Sequence, residues 1–453
     1  MSTPIKLDPP TGTRDFFPPD ARKRDYIIQK WDEACQVYAY EPYDSSVIES
    51  TRLWTEKDPE MIKQQYAFET PDGEQVSLRP EMTPTLARLI MSQLKILRMP
   101  LKWYSKPVCY RYEQTQRGRK REFYQLNCDV WGSKDILVEA DIFSMIVYMF
   151  KSFGLNSNQV TLKFSSRKLI DEFLTRELKL NLSEDEFLKT CSVMDHVDKL
   201  SMEDLLQKLN KDVPSIPESI GLDMIKKLSF RKGISQRLSP QESLKLFKEG
   251  LSSDEFKSSE AIKEIETLLE LCGPNGFDIL EWLDFDTGII RGLSYYTGIV
   301  FEGFACFGDV KRAICGGGRY DEILSTYGSN ENVPACGFGM GDVVIGEILG
   351  DFGLLPDFSM NPVDDIVIPF NEKYRHVAIK VTQVLREKGR RVEMYLKKVK
   401  KLTVALDYAN KLGATRAINI FPDEWDKEKK VQIKLLREEN AESKITFVTL
   451  DEL

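Results

Sequence analysis

Histidine is nearly missing from this sequence, since only His196 and His376 occur among 453 residues. A metal centre with histidine ligands, or a Ser/His/Asp hydrolase triad, needs such side chains close together, so the scarcity nearly excludes both. Any chemistry must therefore rest on arginine, carboxylate, glutamine and tyrosine side chains, with or without a soluble metal ion.

The sequence also lacks long apolar runs and paired cysteines. No run approaches the roughly 18 apolar residues that span a bilayer, and the first residues, MSTPIKLDPPTGTRD, contain no apolar core of a signal peptide. The eight cysteines form no CxxC pair, so reduced core residues are favoured over a disulfide framework or a zinc site. We expect a cytoplasmic protein.

Length and charge limit the remaining possibilities. A chain of 453 residues is too long for one hydrophobic core and predicts two or three domains. The net charge is −8, so any binding of nucleic acid must depend on local basic patches rather than on the overall field. One such patch is RGRKR at residues 117–121.

Hydrophobic periodicity predicts an N-terminal region of mixed helices and strands, a helical insertion and an α/β tail. Strands and helices that alternate in the tail indicate a separate domain with a largely parallel sheet. The predicted elements are helices over 20–41, from Thr85 and over 135–153; hairpin arms over 107–113 and 123–131; the insertion at about 165–280; a linker at 356–362; and the tail at 363–453.

The hairpin has the densest polar pattern. With period two, its second arm presents one face of Phe123, Gln125, Asn127 and Asp129, opposite Tyr124, Leu126, Cys128 and Val130. Arg111 and Glu113 share a face of the first arm, so the paired arms would suit a zwitterionic or nucleotide ligand. The alternative for the second arm is an ordinary strand with one face in water. The loop between the arms would be a flexible cationic tip, or alternatively a solvated charged turn.

Three further stretches could bind a ligand. LRPEMTP, stiffened by two prolines, presents a carboxylate and a hydroxyl suited to an ammonium group, unless it is an ordinary strand-to-helix turn. RGLSYYTG has Arg291 ahead of Tyr295 and Tyr296, whose hydroxyls can bond a polar ring, although packing is the commoner role of strand tyrosines. CGGGRYD allows close backbone approach to a flat ligand beside Arg319.

From end to end the chain resembles the histidyl-tRNA synthetase family of class II aminoacyl-tRNA synthetases. The resemblance lies in TGTRDFFP, LRPEMTPTLAR, YRYEQTQRGRKREFYQLNCDVWG, RGLSYYTGIVFE, GGGRYD, PACGFGMG and the tail. It implies an α+β fold with a catalytic domain over 1–355, built on an antiparallel sheet flanked by helices, and an anticodon-binding α/β domain over 363–453. It also implies a homodimer, with the helix over 20–41 and Pro42 in the dimer-forming motif.

The family reaction implies the partners L-histidine, ATP with Mg²⁺, and tRNA(His). Histidine attacks the α-phosphorus of ATP, and the histidyl-adenylate then acylates the 3′ end of the tRNA, which requires positioning and charge stabilisation more than a base. The resemblance implies catalytic Arg111 and Arg291; histidine ligands Glu81, Met82, Thr83, Gln125, Asp129, Arg291, Tyr295 and Tyr296; ATP ligands Arg111, Glu113, Arg119, Phe123 and Arg319; and tRNA contacts Arg117 and Arg121. It implies no metal site formed by protein ligands alone.

One position departs from the family pattern. Class II motif 3 ends in an arginine, where GFGMGDVVIGEIL places Val344. Arg121 or Arg319 would then take over its ATP contact, or the chain represents a subgroup with a different clamp or a degenerate enzyme. Two other functions remain open: a non-catalytic regulatory subunit of ATP phosphoribosyltransferase, which would lack the tail, and an RNA-binding protein that would have lost pocket residues.

Overall fold

The structure is a computed structural model, and the chain divides into two compact units. One unit comprises residues 1–17 and 23–355, and the other comprises residues 18–22 and 356–453. The residues that the structure describes are 5–55, 62–197, 200–232, 234, 237–291, 295–308, 310, 312–359, 363–437 and 445–453.

The strands of the first unit form two sheets. A nine-stranded sheet has the order β1-β5-β7-β12-β11-β10-β8-β9, with β6 paired to β7, and a three-stranded sheet has the order β2-β4-β3. The strands are β1 Glu41–Pro42, β2 Ile48–Ser50, β3 Tyr66–Glu69, β4 Gln75–Leu78, β5 Leu101–Ser105, β6 Val108–Tyr110, β7 Glu122–Trp131, β8 Val160–Ser166, β9 Leu283–Phe285, β10 Ile299–Ala305, β11 Cys315–Arg319 and β12 Ala335–Gly341.

The large sheet is antiparallel at its centre, as the sequence predicts. Only its outermost pairs, β1 with β5 and β8 with β9, are parallel. Leu126 and Cys128 of β7 lie on the face that packs into the main hydrophobic core, together with Phe143 and Phe301, whose ring centroids are 5.0 Å apart. The period-two interpretation of β7 is therefore correct on its apolar side.

Helices of the first unit cover the core face of the large sheet and form the insertion. Outside the insertion the predicted helices are confirmed, with small shifts of their ends. The first helix ends at Val37 instead of residue 41, and the second begins at Thr83 instead of Thr85. The helices are Pro18–Val37, which begins in the second unit, Arg52–Thr55, Thr83–Gln93, Leu137–Ser152, Arg167–Glu172, Glu184–Met194, Met202–Asp212, Glu218–Leu228, Pro240–Glu249, Asp254–Lys257, Glu260–Leu271, Ile323–Thr326 and Asp342–Asp351.

The insertion is helical, and local chemistry explains where two of its helices begin. Ser183 accepts from the backbone N–H of Glu186, whose carboxylate accepts from the backbone N–H of Ser183 in return. Ser239 and Glu242 form the same capping box, with Pro240 in the first turn. Each box satisfies backbone donors that the first helical turn leaves without partners.

The second unit has a five-stranded sheet of order β14-β13-β15-β16-β17. β13 is parallel to β14 and β15, whereas β15, β16 and β17 pair antiparallel, so the largely parallel sheet predicted for the tail is confirmed only on one side. The elements are β13 Asp365–Pro369, helix Arg375–Glu387, β14 Val392–Met394, helix Leu402–Leu412, β15 Arg416–Ile420, helix Pro422–Glu428, β16 Val431–Leu435 and β17 Ile445–Val448.

The described residues bear on two sequence predictions, one about membrane-spanning helices and one about the cysteines. None of their helices is long and apolar enough to cross a membrane. The eight cysteines are free thiols, of which only Cys306 is exposed, and no group of three or more histidine, cysteine or acidic residues in the described ranges is arranged to hold a metal ion.

Candidate active site

The centre of the large sheet has a glycine-lined face opposite the main core. Because directly opposed residues of antiparallel strands share a face, the register identifies which residues lie there. Asp129 of β7 is opposite Gly337 of β12, which is opposite Gly318 of β11; Asn127 is opposite Gly339, which is opposite Gly316. The glycines of two adjacent strands, β11 and β12, thus form a floor without side chains beside two polar side chains of β7.

Polar side chains lie directly on this floor. A methyl group on Gly337 would overlap the carboxylate of Asp129, and one on Gly316 would overlap the guanidinium of Arg291. Side chains on these glycines would therefore displace both charged groups. The glycines in CGGGRYD and ACGFGMG therefore leave room for these side chains, and their predicted approach to a flat ligand stays a prediction.

Asp129 is the most unusual group on the floor. Its side chain is buried, Oδ1 accepts a hydrogen bond from the Tyr320 hydroxyl, and buried Oδ2 has no hydrogen-bond partner in the described part of the chain. Burial raises the pKa of Asp129 to about 7, while the bond from Tyr320 acts in the opposite direction. An unsatisfied buried acceptor of this kind is suited to a ligand N–H.

Tyr320, which contacts this carboxylate, belongs to a cluster of three tyrosines. The ring centroids of Tyr295 and Tyr296 are 4.9 Å apart, and that of Tyr320 lies 5.8 Å and 6.3 Å from them. The Tyr295 hydroxyl donates to Oε2 of Glu81 at 3.4 Å. The structure thereby brings LRPEMTP and RGLSYYTG together, although they are far apart in the sequence.

The two residues after Glu81 are both buried. Met82 is fully buried, and Thr83 is the buried first residue of the helix Thr83–Gln93. Gln125 donates from Nε2 to Asn127 Oδ1 at 2.8 Å, so the two polar residues ahead of Asp129 are linked to each other. On the predicted polar face of β7, Gln125 and Asn127 are therefore hydrogen-bonded to each other, and Asn127 and Asp129 are buried rather than solvated.

Arg291 lies at the other side of the tyrosines. Its Nη1 donates to Glu302 Oε1 at 2.9 Å, and its guanidinium carbon lies 5.7 Å from the ring centroid of Tyr296. Its φ of 56° is in the left-handed region, which non-glycine residues adopt at a cost of order 1 kcal/mol. Burial acts to lower the pKa of Arg291, but Tyr296 and Glu302 outweigh it and raise the pKa.

The hairpin is shorter than predicted. β6 pairs with β7 from Val108 to Tyr110, so Arg111 and Glu113 lie beyond the paired strand. Arg111 donates from Nε to the Pro80 carbonyl at 2.9 Å, and its guanidinium lies 5.4 Å from the ring centroid of Phe123. Arg111 and Phe123 are therefore adjacent, as the shared-face interpretation predicts.

The basic tip is folded back rather than free. Gln116 and Arg119 form an isolated bridge around Gly118, whose φ of 75° suits glycine. Arg119 forms an ion pair with Glu113, and Arg121 donates from Nε to the Glu113 carbonyl at 3.1 Å. The flexible cationic arm expected from the sequence is a tight turn here, because its guanidiniums find acceptors within the protein.

Arg319 requires a correction. It is buried, and its Nε and Nη2 donate to the two carboxylate oxygens of fully buried Glu139 at 2.5 Å and 2.7 Å. Nη1 donates to the Ser133 carbonyl at 3.0 Å and to Asp321 at 3.2 Å. Because an ATP contact would break a bidentate buried ion pair, we do not retain Arg319 as an ATP ligand or as the substitute at motif 3.

Comparison with known proteins decides the family. The sequence profile described as histidyl-tRNA synthetase matches residues 12–341, which include every residue discussed in this section.

The chain belongs to the histidyl-tRNA synthetase family.

Individual members of the family resemble the chain over nearly its full length. It is similar to a chloroplastic/mitochondrial histidine–tRNA ligase of Arabidopsis thaliana, with 37% identity over 95% of this chain and 84% of that protein. The histidine–tRNA ligase of Pyrococcus furiosus is 33% identical over 90% of this chain and 89% of its own. A solved histidyl-tRNA synthetase from Nostoc sp. PCC 7120 has the same fold, with a TM-score of 0.78, 23% identity and coverage of 99% and 98%.

Membership makes the chain an aminoacyl-tRNA synthetase with histidine, ATP and tRNA as substrates. The regulatory-subunit alternative is less supported, because these curated relatives are named histidine–tRNA ligases and the tail that such a subunit would lack is present. Sequence reasoning missed two residues that contact the candidate site, Tyr320 beside Asp129 and Glu302 beside Arg291. Tyr320 stands within the GGGRYD motif, whereas nothing in the sequence linked Glu302 to Arg291.

Proposed function

We propose that the glycine floor and the groups around it form the histidine and ATP sites of the family reaction. The observation that carries this proposal is the buried Oδ2 of Asp129, which lacks a partner in the described part of the chain, while Tyr320 beside it packs against Tyr295 and Tyr296. An imidazole N–H donating to Oδ2 would satisfy it, and a hydroxyl of Tyr295 or Tyr296 would satisfy the other ring nitrogen. An apolar amino acid would leave these groups unpaired, which gives strong discrimination.

The remaining histidine contacts follow from the network on the same face. Glu81 and Thr83, with Gln125, hold the α-ammonium, and Met82 closes the buried side of this segment. Arg291 neutralises the substrate carboxylate and then the charge that develops on the α-phosphate. Arg291 is only partly exposed, and this supports the role because an electrostatic interaction is stronger where water is largely excluded.

ATP would lie along the hairpin. Arg111 binds the α-phosphate, Phe123 stacks on the adenine, and Glu113 orients that ring. Arg119 contacts phosphate after exchanging its ion pair with Glu113 for one with the nucleotide. The carboxylate oxygen of histidine then bonds to the α-phosphorus as the bond to the leaving pyrophosphate breaks, and Mg²⁺ enters and leaves with the phosphates as part of the substrate.

Transfer to tRNA would use the tip and the second unit. Arg117 and Arg121 are the proposed contacts to the acceptor end. Arg117 is held by surface ion pairs, which contribute little in water. Arg121 would exchange its hydrogen bond to the Glu113 carbonyl and its cation–π contact with Tyr112, 4.0 Å from the ring centroid, for contacts with the tRNA. The domain over 363–453, after a linker at 356–362, is proposed to bind the anticodon.

Assembly and location also remain proposals. We propose a homodimer, supported by family membership and by exposed apolar side chains such as Val37, Ile48 and Phe68. Sedimentation of the purified chain tests this, and a monomer at all concentrations would contradict it. We propose the cytoplasm as the compartment; because one relative is named chloroplastic/mitochondrial, imaging of the tagged full-length chain is the direct test.

Replacing Arg291 tests the proposed division of roles. Arg291→Ala should abolish histidyl-adenylate formation while leaving the affinity for tRNA(His) nearly unchanged. Arg98→Ala is a matched control, because Arg98 is exposed and forms no hydrogen bond or ion pair with another described residue. A large loss of tRNA affinity in Arg291→Ala alone would place Arg291 in the wrong site.

A further inference from the structure

Positive charge is concentrated around Gly118, where three separate segments meet. A methyl group on Gly118 would lie 3.6 Å from Cδ of Arg312 and 3.6 Å from Cγ2 of Val344. Arg312 comes from the loop before β11, and Val344 from the helix Asp342–Asp351. Arg117 and Arg119 flank the glycine, so a third arginine reaches the tip of the hairpin from outside it.

These arginines differ in their partners. Arg117 forms ion pairs with Glu347 at 3.0 Å and with Asp351, and Arg119 pairs with Glu113. No carboxylate in the described ranges lies within ion-pair distance of Arg312, which is half-buried. A guanidinium that is partly withdrawn from water without a counter-charge is costly, and a bound anion would remove that cost.

The neighbouring charges increase this cost. Burial, followed by the charges of Arg312 and Arg111, lowers the pKa of Arg119, and burial lowers the pKa of Arg312. The whole chain has a net charge of −8, yet no acidic side chain within the described ranges forms an ion pair with Arg312. Such an arrangement is typical of a site for a multiply charged anion.

The helix beside the tip directs its carboxylates to Arg117 rather than to Arg312. Val344, Glu347 and Asp351 are three and four residues apart and lie on one helical face. The two carboxylates of that face pair with Arg117, whereas Val344 on the same face carries no charge. Val344 also occupies the position at which the family pattern has an arginine. Here the guanidinium near Gly118 comes instead from Arg312, in a different segment.

We propose that Arg312 binds the β- and γ-phosphates of ATP, and so supplies the positive charge that is absent at Val344. The proposal rests on the ATP site assigned above to Arg111 and Arg119. In the activation step the bond between the α-phosphorus and the bridging oxygen breaks, and that oxygen leaves with pyrophosphate. Because the leaving group gains negative charge, a guanidinium beside it stabilises the transition state as well as the bound nucleotide.

The test uses the full-length enzyme and three variants: Arg312→Ala, Arg312→Lys and the matched control Arg98→Ala. Histidine-dependent exchange of pyrophosphate into ATP gives KM values for ATP, pyrophosphate and histidine. A second assay measures direct binding of magnesium pyrophosphate by calorimetry. A third measures the affinity for tRNA(His), which separates a nucleotide phosphate from a tRNA phosphate.

Arg312→Ala should raise KM for both ATP and pyrophosphate and weaken pyrophosphate binding by roughly ten- to a hundredfold, the range for a charge-assisted hydrogen bond. KM for histidine, the midpoint of thermal unfolding and all parameters of Arg98→Ala should stay unchanged. Arg312→Lys should recover part of the loss, because lysine retains the charge but not the fork of donors.

Two results would overturn the proposal. Unchanged pyrophosphate affinity in folded Arg312→Ala would show that no phosphate is bound there. A loss confined to tRNA affinity would assign Arg312 to the tRNA instead of the nucleotide. Failure of the proposed function itself is distinguishable, because the wild-type protein would then show no histidine-dependent exchange.

Discussion

Replacing Asp129 with asparagine should stabilise the unliganded protein above neutral pH while weakening its binding of histidine. The carboxylate is buried, and the described structure gives its Oδ2 no partner. Ionisation of Asp129 therefore destabilises the folded protein until a ligand donates a hydrogen bond to Oδ2. Asparagine has nearly the same shape and no charge, so it removes the cost of ionisation and keeps an oxygen for Tyr320.

The magnitude follows from the pKa of Asp129, which is about 7 in the folded chain against an ordinary value of 3.8. At 1.36 kcal/mol per pKa unit, this gap corresponds to at most about 4 kcal/mol. Below about pH 4 both states are protonated, and the group has no effect on stability. As the pH rises to about 7 the unfolded state loses its proton first, so the stability of the wild type falls, and above that range the deficit is constant.

Urea unfolding of the wild type and of Asp129→Asn at pH 5, 6, 7 and 8 measures this effect. The difference between the two unfolding free energies should grow with pH in favour of asparagine, because other titrating groups are common to both proteins. Histidine affinity should fall at least tenfold at pH 8, since a hydrogen bond to a carboxylate becomes one to a neutral amide. A difference that does not vary with pH would refute the reasoning.

Three further substitutions test other parts of the site. Gly316→Ala should lower the rate of adenylate formation about a hundredfold with little change in tRNA affinity, because the methyl group displaces the guanidinium of Arg291; an unchanged rate would contradict the glycine floor. Arg319→Ala should lower the free energy of unfolding by about 3–5 kcal/mol, since it leaves a fully buried carboxylate unpaired, and unfolding measurements that show no loss would contradict its structural assignment. Val344→Arg, introduced into Arg312→Ala, should restore part of the affinity for ATP in exchange assays, because residues 312 and 344 both lie beside Gly118. A folded double variant without recovery would contradict the proposal that an arginine at either position can bind the same phosphates.

Local patterns made much of the fold predictable. The period of two in β7 and the alternation of strands and helices in the tail each depend on neighbouring residues, and each is confirmed. The antiparallel half of the tail sheet was not predicted, because strand direction depends on which strands pair and not on the pattern within a strand.

The site was harder to predict, since its groups meet through long-range pairing. The contact of Glu81 with Tyr295 joins segments that only the folded sheet brings together. Arg319 shows the opposite error: its motif suggested a ligand contact, but its partner Glu139 lies in a distant helix whose pattern is apolar. The roles assigned to ligand-binding residues therefore remain predictions until they are tested.

The central claim is that this chain activates histidine and rejects other amino acids through Asp129 and the tyrosines around it. The most direct measurement is amino-acid-dependent exchange of labelled pyrophosphate into ATP by the purified full-length protein, with each of the twenty amino acids in turn. We expect rapid exchange with histidine alone, and a strong reduction in Asp129→Asn. Absence of exchange with histidine, or equal exchange with other amino acids, would contradict the account.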